Sequence, residues 1–126
     1  MEIFEAAVQA LNDVDRAAIE RVVDPDIMFV PLRSAVTGAY LGYPGIEEFL
    51  AENEARYDMF RADFDELRAL ADGRVLAVGH ICLRGRGSPD ETRYPTAGIA
   101  AVRDGRLSSW RDYGNEAAAL EAVGER

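Results

Sequence analysis

The chain reads as a single α+β domain in which helices combine with a meander of antiparallel strands, and three observations predict it. Apolar residues recur at helical spacing near the N-terminus and again after Pro44, Ile27 to Leu32 form an apolar run of strand length, and Asp72-Gly73 and Asp104-Gly105 each sit between strand-like runs. Asp-Gly is a preferred dipeptide of two-residue type I′ hairpins. Helices followed by a meander of strands argue for α+β rather than for alternating parallel units. At 126 residues, with no internal repeat or linker, residues 1–126 form one domain.

In chain order, Ile3, Phe4, Ala7, Val8 and Leu11 mark a first helix, and Ala17, Ala18, Ile19, Val22 and Val23 a second. Asp13 or Asp15 caps the second, and Pro25 stops it by pushing its predecessor out of the α region. A buried strand follows, and the loop from Ser34 to Gly42 is expected to hold a small hairpin. Pro44 suits a first helical position, with Ile46, Phe49, Leu50, Asn53 and Tyr57 on the inner face. Three strands run from Phe60 to Tyr113, and Asn115 caps a last helix that Gly124 ends.

A formal charge of −9 disfavours docking on nucleic acid or an anionic membrane, both of which need a basic face. All fourteen basic residues are arginine, which removes Schiff-base chemistry on lysine. One cysteine, Cys82, and one histidine, His80, cannot make a disulfide or a zinc cluster. Neither metal nor cofactor is expected, with a carboxylate site for a hard cation the open exception. No signal peptide or apolar span is seen, and the cytoplasm is the expected compartment.

Two-residue turns at both Asp-Gly dipeptides, with a four-residue turn from Gly87 to Asp90, place Asp65, His80, Ala97 and Asp112 in one row on one sheet face. His80 and Asp112 would then lie about 10 Å apart, a gap suited to a ligand, with Asp65 holding His80 in one tautomer. Asp112 under the helices would share its surroundings with Trp110, Ile99, Phe29 and Tyr57. Burial raises a carboxylate's pKa and tunes it for acid–base work. The plainer alternative pairs Asp112 with an arginine such as Arg93. No Gly-rich phosphate loop or G-x-S-x-G elbow occurs.

The stretch Leu41-Gly42-Tyr43-Pro44-Gly45-Ile46-Glu47-Glu48-Phe49-Leu50, the two Asp-Gly hairpins and Trp110-Arg111-Asp112-Tyr113 resemble the SnoaL-like polyketide cyclase group of the nuclear-transport-factor-two-like superfamily. That resemblance, over nearly the whole chain, implies a curved antiparallel sheet wrapped on helices to form a cone with an internal, mostly apolar cavity for a small apolar organic ligand. It also implies homodimers packed through the outer sheet face. Asp112 matches the aspartate in the Trp-Arg-Asp-Tyr stretch of limonene-epoxide hydrolases. Their Arg-x-Asp pattern falls near Gly79, His80 and Ile81, where only His80 is polar, and their water-positioning residues fall near the apolar Ile27 and Phe29, so the hydrolase triad is incomplete. The ketosteroid-isomerase base would fall at Pro31 to Arg33, where no carboxylate stands. Polyketide cyclases pair Asp with His in the cavity, as Asp112 and His80 would, although His80 lies on a different strand from theirs. Two readings follow. In one, Asp112, His80 and Asp65 carry proton transfer of the isomerase, cyclase or lyase kind, with Trp110, Tyr57, Phe29, Ile99 and Asn53 shaping the pocket. In the other, the chain is a non-catalytic, homodimeric binding module.

Overall fold

The computed structural model describes residues 1–32 and 38–124. Helices α1 (Glu2–Asp13) and α2 (Arg16–Val22) precede strand β1 (Val23–Val30), the short β2 (Tyr40–Leu41) and helix α3 (Gly42–Arg56). Strands β3 (Tyr57–Ala69), β4 (Val75–Gly85), β5 (Glu91–Arg103) and β6 (Arg106–Asp112) then run to helix α4 (Glu116–Ala122). The six strands make one sheet in the order β2-β1-β6-β5-β4-β3. The sheet is antiparallel as expected among the described residues except at one place, where β1 runs parallel to β6. The hairpin expected between Ser34 and Gly42 falls partly on residues 33–37, outside the described residues; within it, Tyr40 and Leu41 pair with Phe29 and Met28.

Strand alternation sorts the sheet residues onto two faces. Phe29, Val75, Ala77, Ala100 and Trp110 point inward, where they meet Phe4, Ala7, Ile19, Ile46, Phe49 and Leu50 of α1, α2 and α3. Leu76 and Ile99 point outward and are covered by Ala119 of α4. Among the described residues four irregularities bend the sheet: extra residues in β3 at Asp58 and at Asp65, in β6 at Ser108, and in β1 between Val23 and Met28.

Turn chemistry follows the residues. Asp104 and Gly105 have φ of 53° and 76°, both positive as a type I′ turn requires. The other Asp-Gly site is longer than expected: Leu70 N–H donates to Arg74 O at 2.7 Å, leaving a three-residue loop. Asp15, one of the two expected caps, accepts from Ala18 N–H at 3.2 Å, and Asn115 accepts from Ala118 N–H at 2.8 Å. Between α1 and α2, Val14 adopts the left-handed conformation with φ 53° and ψ 40°. That region suits glycine; for a β-branched residue it costs about 1–2 kcal/mol.

Two polar links fix these elements. The side chain of Asn12 donates to Ala62 O at 2.8 Å and accepts from Ala62 N–H at 3.0 Å, which holds α1 against the edge strand β3. Arg103 donates to the buried Asp24 carboxylate at 3.0 Å and ties the β5–β6 turn to β1. The Asp26 N–H and the Arg103 guanidinium hold the Asp24 carboxyl below its ordinary value.

Candidate functional site

The inward face of the last two strands builds the site. Trp110 pairs with Phe29 on one side and with Ala100 on the other, and its indole lies across Gly98. A Cβ at Gly98 would sit 2.5 Å from the indole ring and 2.4 Å from the Arg111 carbonyl, so only glycine lets the ring lie flat there. Asp112, two residues on, also faces inward and pairs with Gly98. The Thr96 hydroxyl donates to Asp112 Oδ2, and Gly114 N–H donates to Oδ1 at 2.7 Å. Thr96 is itself only 1% exposed, so the donor is held in place by the surrounding packing.

Asp112 opens onto a cavity of about 670 Å³. One wall is Phe4, Phe64 and Trp110, with ring centroids 5.2–5.4 Å apart. A second aromatic cluster is Phe29, Phe49 and Phe60, packed edge to face at 4.8 and 5.8 Å. Tyr57, Tyr94, Asn12 and Asn53 add polar atoms to the lining. Arg16, Glu54, Arg56, Asp58 and Arg86 bring charge to it. Three of these charges, Arg16, Arg86 and Asp58, are committed to scaffolding. Arg16 makes a two-pronged bridge to Glu47 at 2.8 and 3.0 Å, and Arg86 donates to Asp58 at 3.1 Å and to the Glu54 carbonyl.

Burial among these rings pushes the Asp112 carboxyl above its ordinary value, while hydrogen bonds from Thr96, Gly114 N–H and Ala97 N–H pull the other way. Burial is the larger effect. The result is a carboxyl that can take or give a proton facing an apolar space, beside a hydroxyl that donates to it when ionised and accepts from it when protonated. Among the described residues, no three His, Cys, Asp or Glu side chains cluster in a way that could hold a metal ion.

Of the residues singled out from sequence, Asp112, Trp110, Tyr57, Phe29 and Asn53 line the cavity. The expected row does not form. His80 opposes Asp63 and Pro95, while Asp112 opposes Gly98. His80 alternates with the cavity-lining Ile81 and points to the outer face, where Arg93 donates to its Nδ1 at 3.1 Å. A guanidinium only donates, so Nδ1 is the accepting atom of this contact. Arg93 is thus engaged away from Asp112. Asp65 is the exposed extra residue of the β3 bulge, and Ile99 lies under α4 on the outer face. Each displacement has one physical source: a bulge or a changed loop length moves every later partner. Sequence reasoning missed Thr96, although a lone hydroxyl beside the apolar run Ala97 to Val102 was a usable signal.

No family model matches the chain, and no curated protein matches it in sequence. Solved structures do. A Catenulispora acidiphila protein with a ketosteroid isomerase-like fold, in complex with trimethylamine, matches at 19% identity and TM-score 0.74, over 99% of this chain and 94% of that one. A Shewanella denitrificans protein described as a SnoaL-like polyketide cyclase matches at 17% identity and TM-score 0.72, over 98% of this chain and 95% of that one. A Mycobacterium tuberculosis epoxide hydrolase of the limonene-epoxide-hydrolase-like kind matches at 22% identity and TM-score 0.71, over 97% and 82%. The fold implied by the sequence resemblance is therefore the fold of this chain, the α+β cone shared by ketosteroid isomerase-like, SnoaL-like and nuclear-transport-factor-two-like proteins.

Proposed function

We propose that the protein binds a small, largely apolar organic ligand in the cavity and moves a proton on it, with Asp112 as general acid or base and Thr96 as the residue that holds and tunes it. The observation that carries this reading is a carboxylate raised by burial, opening onto a 670 Å³ aromatic cavity. Isomerisation, aldol-type cyclisation and dehydration all need such a group. The solved structures that share the fold include proteins described as a SnoaL-like polyketide cyclase and an epoxide hydrolase. His80 and Asp65 lie off the cavity, so the proton chemistry rests on Asp112 and Thr96. The single cysteine fits a cytoplasmic setting.

The test is deuterium uptake from D2O into a panel of cyclic ketones and phenols, followed by proton NMR, beside native mass spectrometry of the purified protein. Wild type should accelerate exchange in at least one class, and Asp112→Asn should remove the effect. Equal exchange by both proteins would sink the acid–base role and leave a binding cavity.

A second reading concerns assembly. Met28 and Leu41 pair across β1 and β2 on the outer face and are 47% and 63% exposed. We assign this strip to a homodimer contact through the outer sheet face. Light scattering should give a dimer for wild type and a monomer for Met28→Glu; a monomeric wild type at high micromolar concentration would count against it.

A further inference from the structure

Val14 combines three properties that do not usually meet. It is β-branched, it is held in the left-handed backbone region at φ 53°, and it leaves 44% of its surface in solvent while lining the cavity. Local backbone preference favours glycine or asparagine at such a helix end. Burial does not explain the valine, since much of it is wet. The conformation is imposed from both sides: Asn12 is clamped to Ala62 of β3, Asp15 caps α2, and Arg16 is bridged to Glu47 of α3. A strained residue fixed by its neighbours at the edge of a cavity points to a ligand contact. Leu32 is a second exposed apolar residue of the lining, 41% exposed though without the strain.

We propose that Val14 is a ligand-contacting residue at the opening of the cavity, forming an apolar subsite for an aliphatic extension of a ligand whose polar end lies at Asp112 and Thr96. This rests on the cavity-binding reading above. The ligand class it selects is amphiphilic: one hydroxyl or carbonyl deep in the aromatic chamber, and a hydrocarbon tail long enough to reach the α1–α2 corner. Strain and specificity are then linked, because relieving the first removes the second.

The experiment uses the full chain and a series of 4-alkylphenols from methyl to octyl, with affinities from intrinsic tryptophan fluorescence or calorimetry. In wild type, affinity should rise about fourfold per added methylene, about 0.8 kcal/mol each, while the tail is still being buried. Val14→Gly and Val14→Asn should bind the short members as wild type does. They should bind the long ones about three- to tenfold more weakly and melt at the same temperature or a few degrees higher. A purely structural role predicts the reverse, a lower melting temperature with unchanged affinities throughout. Either variant binding every member like wild type overturns the subsite alone. Wild type binding none of the series overturns the cavity reading, and the subsite with it.

Discussion

Removing the Thr96 hydroxyl tests the site where its energetics are most legible. Thr96→Val keeps the shape of the side chain and deletes the donor to Asp112 Oδ2, leaving Gly114 N–H on the other oxygen. At 1% exposure Thr96 is packed in place, so its hydroxyl is held on that oxygen. A hydrogen bond to a charged acceptor contributes about 1.5–3 kcal/mol, against about 0.5–1.5 kcal/mol between neutral groups. The substitution should therefore cost about 1.5–3 kcal/mol when Asp112 is ionised and roughly half that when it is protonated. At roughly 4 °C per kcal/mol for a chain of this size, the melting temperature should fall about 6–12 °C near pH 8 and distinctly less near pH 3. Urea denaturation at both pH values, with a carbon-13 titration of the Asp112 carboxyl, measures it. The titration should move further up in the variant. A loss of stability equal at the two pH values, or a titration that stays put, would refute the argument that Thr96 holds the ionised carboxylate.

Burial already places the folded Asp112 above its ordinary 3.8, so its stabilising contribution is complete in acid and disappears as pH rises through that raised value. Asp112→Asn, whose amide cannot ionise, should flatten this part of the pH–stability curve and melt no lower than wild type near pH 8, while proton-transfer activity is lost. Gly98→Ala should cost about 3 kcal/mol, because its methyl collides with both the Trp110 ring and the Arg111 carbonyl; urea denaturation gives the loss and a shifted tryptophan emission spectrum its cause. Asn12→Ala removes both partners of the Ala62 peptide and should cost about 2 kcal/mol, with faster hydrogen exchange at the Ala62 amide.

Sequence conveyed local structure well and long-range register poorly, and particular residues show why. Apolar spacing found α1, α2 and α3, and Asp104-Gly105 marked a true type I′ turn. The register from that turn holds through Val102 opposite Leu107, and then Ser108 adds one residue to β6 and carries Asp112 from Ala97 to Gly98. Asp65 does the same in β3, after a loop already longer than two residues, and sets His80 opposite Asp63. An extra strand residue needs no special side chain, so the bulging residue carries no mark of its own. The partner strand does. Gly79 lies against the β3 bulge, where a Cβ would come within 1.9 Å of the Asp63 carbonyl; Gly98, away from the β6 bulge, makes room for the Trp110 ring instead. Both were visible as glycines inside strands, which signal such close approaches. Asp112 itself survived the shift because Gly98, like the Thr96 that binds it, lies on the inward face of β5.

The parallel pairing of β1 with β6 also bears on how the chamber comes into being. Phe29 and Trp110 are neighbours in the sheet yet 81 residues apart in the chain, so the contact that completes the aromatic walls joins the two ends of the fold. Closing so long a loop costs entropy before any packing offsets it, which favours late formation and slow folding. A chain emerging from the ribosome can assemble its first helices and the β3–β4 hairpin early, but it has no binding chamber until β6 slots between β1 and β5. On the proposed reading, binding competence reports the docking of β6: a ligand would find its site only once that strand lies between β1 and β5.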